Sequence, residues 1–204
     1  MFALVDKSDN SITRMLSGSQ GITLDGIQHP KAIFSLWTEA ERNAINIYTV
    51  EINNSKRKNT EWYVNTNVTY SFNGSKVTGS YGDATARAHA DTLFTAQDES
   101  DGKGTEGDVK DEALKTKLIR SIKSQAEGEL NKTDWYITRK AEKDTAIPSA
   151  VSTHRDAVRS KQAEMETAIT NASDTPALET LYTYTTQEDG STTRPLGELP
   201  TKDF

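Results

Sequence analysis

Between Gly107 and Ala172 apolar residues recur at helical spacing, and no other stretch of the chain restricts the possible folds so strongly. In DVKDEALKTKLIRSIKSQAEGEL, the residues Leu114, Leu118, Ile122, Ala126 and Leu130 fall every four positions, with Ile119 beside them and charges elsewhere. That pattern predicts an amphipathic helix. Thr133 and Asp134 then stand where a second, shorter helix would be capped. It carries Trp135, Tyr136 and Ile137, three bulky apolar residues on a polar background, which mark the expected point where the helices lock together. Pro148 breaks the chain and Ser149 is placed to cap a third helix. Along it Val151, His154, Val158, Lys161, Met165, Ala168 and Ala172 alternate steps of three and four, a narrow seam of mostly small residues. The pattern predicts helices packed on each other or on other copies of the chain. It contains no chemistry.

Only 34% of the 204 residues are in the hydrophobic class and the mean hydropathy is -0.70, a thin apolar supply for a compact monomer. Part of the stability is therefore expected from neighbouring subunits. Cysteine is absent, which excludes disulfides and thiolate metal sites. The net charge of -6 divides evenly about Gly107, so neither half has the basic excess of a nucleic-acid-binding tail. No apolar run approaches the roughly 20 residues of a membrane helix. MFALVDKSDN has two acids and no long apolar run, against a signal peptide.

The front of the chain reads as strands. MFALV and SITRML flank the turn residues Asp6 to Asn10 as a hairpin, and GITLDGI is expected to join the same sheet. Thr38 followed by Glu41 is a capping box that starts a short helix from Glu39 to about Ile45, with Asn46 suited to the left-handed residue that ends it. IYTVEI follows as a strand. In EWYVNTNVTYSFNGSKVTGSYG, Trp62, Val64, Val68, Tyr70 and Phe72 alternate as one strand. Asn73-Gly74 predicts a type I′ turn after it, pairing Tyr70 with Val77. GDATARAHADTLFTAQ is ambiguous, since alanine at period two favours neither state, and DESDGKGTEGDVKDE reads as a pliable acidic linker. The expected organisation is α+β. A β-rich module spans 1–96 and is antiparallel with one short helix. A linker covers 97–106, a helical hairpin or three-helix unit 107–172, and an extension 173–204 is ordered only if something holds it.

The usual nucleophile, zinc and phosphate signatures are missing. His29, His89 and His154 lie far apart with no metal-ligand spacing. QDESDGKGTEGD approaches a calcium loop, but Gln97 and Asp108 stand where an Asp and a bidentate Glu are needed. Trp62, Tyr63, Tyr70 and Phe72 beside Lys56, Arg57 and Lys58 have the composition of a stacking platform, yet a sheet face beside a solvated loop explains them with fewer assumptions. No cofactor is expected.

Three stretches in order resemble tail proteins of tailed bacteriophages, among them tail-fibre-assembly-like proteins. SLWTEAERNAINIYTV is similar to their segment in which an acidic helix runs into a strand. EWYVNTNVTYSFNGSKVTGSYGDATA is similar to the hairpin that follows. LNKTDWYITRKAEKDTAIPSAVSTHRDAVRSKQAEMETAI is similar to their helical end, with Thr133, Asp134 and Trp135, then Arg139 to Glu142, then Ile147, Pro148, Arg155 and Arg159. The likeness covers most of residues 33 to 172. It implies a non-enzymatic virion protein of the tail or baseplate region, an adaptor or fibre-attachment protein that binds other tail or fibre proteins and forms a homo-oligomer, without nucleic acid or membrane. The alternative is a tail-fibre assembly chaperone that leaves the finished particle. The expected contact residues are Val151, Val158 and Met165 of the seam, with Trp135, Tyr136, Leu118 and Ile122.

Overall fold

In the computed structural model, which describes every residue from Met1 to Phe204, most strands fall in the N-terminal part of the sequence and the long helices in the C-terminal part, an α+β protein. It divides into two units, Met1–Thr85 and Ala86–Phe204. The division falls ahead of the expected linker, and residues 97–106 lie inside the second unit.

The first unit contains β1 (Phe2–Asp6), β2 (Ser11–Leu16), β3 (Ile22–Leu24), β4 (Ile27–His29), α1 (Ile33–Leu36), α2 (Glu39–Ala44), β5 (Ile47–Asn53), β6 (Tyr63–Val64), β7 (Thr69–Phe72) and β8 (Val77–Ser80). Its main sheet runs β2-β1-β5-β8-β7 and is antiparallel except where β5 pairs with β8. Alternation along β1 sends Ala3 and Val5 to one face and Phe2 and Leu4 to the other. Ala3 and Val5 cluster with Tyr48, Val50, Phe72 and Val77 inside the curl of the sheet, whose edge strands β2 and β7 approach each other. Phe2 and Leu4 pack with Leu16, Ile22, Ile33 and Ile47, beneath α1 and the β3–β4 hairpin. In α2 both halves of the capping box form: Thr38 Oγ1 accepts from the Glu41 N–H, and the Glu41 carboxylate accepts from the Thr38 N–H at 2.7 Å. Asn46 takes the left-handed conformation that its position predicts, at φ 62°.

Three expectations fail here. GITLDGI forms its own hairpin instead of joining the sheet, because Asp25 (φ 48°) and Gly26 (φ 79°) make the two-residue turn with both φ positive, the type I′ signature. Asn73-Gly74 makes a wider loop, in which Phe72 pairs with Val77 and Tyr70 with Gly79. Its cause is the Asn73 side chain, whose Oδ1 accepts from the N–H groups of both Ser75 and Lys76 at 3.0 Å and so holds four residues in the turn. The preceding strand is also interrupted. Asn65 exchanges two hydrogen bonds of 2.8 Å with the backbone of Lys58, so β6 and β7 are separate and Val64 points outward.

After β9 (Thr85–Ala86), at the join of the units, come β10 (Thr92–Leu93), α3 (Ala96–Ser100), β11 (Val109–Asp111), α4 (Leu114–Asn131), α5 (Asp134–Lys143), α6 (Ser149–Asn171), α7 (Thr175–Tyr182), β12 (Thr185–Thr186) and β13 (Thr192–Thr193). The acidic stretch is built rather than pliable. α3 has its own capping box of Thr95 and Asp98, and β10 pairs with β11 around it. Asp98 accepts from the Thr95 N–H and from Lys110 at 3.1 Å. Within the ambiguous segment 82–97, which contributes β9, β10 and the start of α3, residues 87–91 serve the helices. The carbonyls of Ala88 and His89 accept from the N–H groups of Leu114 and Lys115, and Asp91 Oδ1 accepts from the Ala113 N–H at 2.7 Å. Together they supply partners for the unpaired donors of the α4 N-terminus. α4 and α6 pack antiparallel, as the pairs Glu129 with His154 and Lys123 with Glu166 require.

Gly26 and Gly74 have positive φ with nothing within 4 Å of an added Cβ, so substitution there tests backbone conformation alone. Gly26→Ala and Gly74→Ala are each expected to cost about 1–2 kcal/mol, read as a fall in the urea midpoint of the whole chain. The Thr95 N–H, then Lys110, hold the Asp98 carboxyl down from 3.8 to about 2. A carboxyl with a depressed folded pKa stabilises the fold above its ordinary pKa and loses that effect as pH falls through the folded value. The stability difference between wild type and Asp98→Asn is therefore expected to be full above about pH 4 and to shrink toward zero by about pH 2 in urea titrations.

Candidate interaction surfaces of the helical unit

Polar residues placed at helical spacing close one end of the α4–α6 hairpin. Leu130 lies in the last turn of α4, where carbonyls lack helical partners. Its oxygen accepts from Arg155 Nη1 at 2.8 Å and from Thr133 Oγ1 at 2.9 Å. The same Arg155 nitrogen donates to Thr133 Oγ1 at 2.7 Å and to Asp134 Oδ1 at 2.8 Å. Arg155 and Thr133 are buried. A guanidinium at the negative end of the α4 dipole thus fixes the reversal into α5.

This is where the helices lock, and not at Trp135, Tyr136 and Ile137. No residue of α5 is buried; Trp135 is 51% exposed, Ile137 43%, and Tyr136 is half-buried. Thr133 and Asp134 spend their side chains on Arg155, so α5 starts at the outer rim of the hairpin and carries its aromatics away from the core. The Arg139 guanidinium lies 4.6 Å from the Trp135 ring centre and 5.2 Å from that of Tyr136, a cation–π cluster on the surface.

The seam has the opposite fate. Ile122, Val151, Val158 and Met165 are each no more than 1% exposed within the single chain, and Leu118 is half-buried. Their expected role as a contact with a second copy is therefore corrected. α4 is tethered to α6 through residues 132–148, which include α5, and its effective concentration there exceeds that of a dilute free copy, so the seam closes within the chain.

Beside the clamp a carboxylate is buried with a histidine. Glu129 Oε1 lies 3.0 Å from His154 Nε2 and accepts from the Lys202 N–H at 3.0 Å; its other oxygen accepts from Lys132. The Lys132 ammonium above all, and then the Lys202 N–H and His154, hold the Glu129 carboxyl below its ordinary value against the opposing effect of burial. The Phe204 ring lies 5.2 Å from the His154 ring. Residues 201–204 thus form a strap over this pair, and the end of the extension expected to need a holder is held by α4 and α6. Glu129, Thr133 and Arg155 were not expected as contact residues. The signal that finds them is polar side chains at core spacing: Glu129 beside Ala126 and Leu130 on α4, and His154 and Arg155 between Val151 and Val158 on α6.

Elsewhere the candidate chemistry is already engaged. No group of three or more His, Asp or Glu is placed to hold a metal. Asp98 and Asp101 of the calcium-like stretch are taken up by Lys110 and Lys103. Trp62, Tyr63 and Phe72 are buried and form no exposed stacking face, while Lys56 pairs with Asp83 at 2.9 Å. No helix is long and apolar enough to cross a membrane. Comparison with family models, with curated proteins and with solved structures found no match.

Met165→Asp places a charge in the sealed seam, and a cost of several kcal/mol is expected. The measurement is thermal unfolding followed by helical circular dichroism. Loss of helix with no prior change of molecular mass separates an internal seam from an interface between copies.

Proposed function

We propose that this chain is a non-enzymatic structural protein of a bacteriophage virion, an adaptor in the tail or baseplate region that acts by protein–protein contact. The observation that supports contact as its mode of action is α5. This helix contributes no buried residue to its own unit yet presents Trp135 and Ile137 to the surface, with Arg139 over the Trp135 ring. Tryptophan and arginine are the residues that most often carry binding energy in protein interfaces. The clustered polar side chains of the helical unit are engaged in its own clamp and buried pair. They satisfy helix ends and one another, with no nucleophile, base and open cleft brought together. The placement in a tail rests on the ordered likeness of residues 33 to 172 to tail proteins.

The partners under this reading are other tail or fibre proteins, and the chain stays in the particle. Mass spectrometry of gradient-purified virions set against infected-cell lysate is the test. Stoichiometric recovery in virions is the expected result. Abundance in lysate with absence from virions would overturn it in favour of a fibre-assembly chaperone.

A further inference from the structure

Leu196 is buried, and its N–H donates to the Leu181 carbonyl at 3.0 Å, so the chain is anchored to α7 at that point. Gly197, with φ 70°, begins an extended segment without helix or strand that ends over Glu129 and His154. Thr201, Lys202, Asp203 and Phe204 are themselves exposed, although what they cover is not. Three features of the strap meet three features of the site. The Lys202 N–H donates to Glu129 Oε1, the Phe204 ring lies against the His154 ring, and Asp203 is close enough to Lys132 to help Glu129 raise its pKa. Without an occupant Glu129 loses one of its donors and the buried pair is opened to water.

We propose that the Glu129–Lys132–His154 site accepts the strap of a second copy of this chain, so that copies link by exchanging residues 201–204. Nothing in the recognition depends on strap and site belonging to one molecule: a backbone N–H, an acid and a ring are presented identically by every copy. Exchange of an identical element opens no new chemistry and costs only the hinge. The hinge is Leu199–Pro200, between Glu198, whose carboxylate is held by Arg194 at 2.8 Å and by the Tyr184 hydroxyl, and the seated residues 201–204, and peeling those exposed residues does not breach the seam. A tethered strap competes at an effective concentration of about millimolar, so a dilute chain keeps its own strap and a crowded one trades it. This goes beyond the tail reading and does not require it; the particle census and the test below fail separately.

The chain has no cysteine, so engineered pairs report without background from native thiols. The double variant Lys132→Cys with Asp203→Cys, oxidised at about 10 µM, is expected to close within one molecule, the regime in which the tethered strap wins. Lys132→Cys mixed with a separate Asp203→Cys chain at about 1 mM is expected to give a covalent heterodimer at least tenfold above the collisional yield with Lys7→Cys in place of Asp203→Cys. An excess of a peptide of residues 197–204 is expected to suppress that heterodimer. Intramolecular closure of the double variant with only collisional heterodimer in the mixture would overturn the proposal, because the strap then stays with its own chain. Failure of the double variant to close would overturn it as well, because the strap is then not seated at the site.

Discussion

The helical unit depends on one contact, the antiparallel closure of α6 onto α4. Four side chains at its centre, Ile122, Val151, Val158 and Met165, are sealed from water, and each contributes on the order of 1.5–3 kcal/mol by burial. The hairpin is latched at both ends by polar groups that satisfy helix termini. At one end Arg155 holds the Leu130 carbonyl in the last turn of α4. At the other, Lys115 Nζ donates to the Thr170 carbonyl at 2.8 Å near the end of α6, and Asp91 caps α4. Because the hairpin consumes the seam, the apolar side chains that the helical hairpin leaves outside include Trp135 and Ile137 of α5.

Much of this architecture was legible in the residues. The period of α4 and α6, the capping box of α2, the left-handed Asn46 and the first hairpin all follow from short-range rules, and short-range physics decides them in the structure as well. What was not legible depends on distant parts of the chain. Asn73-Gly74 looked like a two-residue turn, but the Asn73 side chain had a better use for its oxygen; Asp25-Gly26 made that turn instead, four residues ahead of a proline. Residues 87–91 gave no helix or strand signal because their work is to accept hydrogen bonds from α4. Likewise 97–106 looked pliable from composition, although a capping box spanning Thr95 and Asp98 was written there beside a second strand pair.

The candidate contact residues divide along the same line. Helical spacing identified which side chains form a seam and could not say whose seam it closes, since an apolar stripe looks the same facing its own hairpin or a second copy. Trp135 and Tyr136 were singled out for bulk, yet bulk does not specify inward or outward. The deciding residue was Arg155, a charge at a core position, whose preference for the Leu130 carbonyl, Thr133 and Asp134 set the direction in which α5 departs.

The capping of α4 by residues 87–91 also bears on the order in which the second unit folds. A helix whose first turn is completed by its own neighbours nucleates locally, but the α4 donors wait for carbonyls and a carboxylate brought back across a long loop, and Thr175 at the start of α7 donates to the Arg87 carbonyl at 2.6 Å in the same segment. Loop-closure entropy is spent before any of these bonds form. During synthesis the carbonyls and carboxylate at 87–91 therefore stand ready for the α4 donors before α6 has emerged, and only the rivet from Thr175 to the Arg87 carbonyl waits for α7.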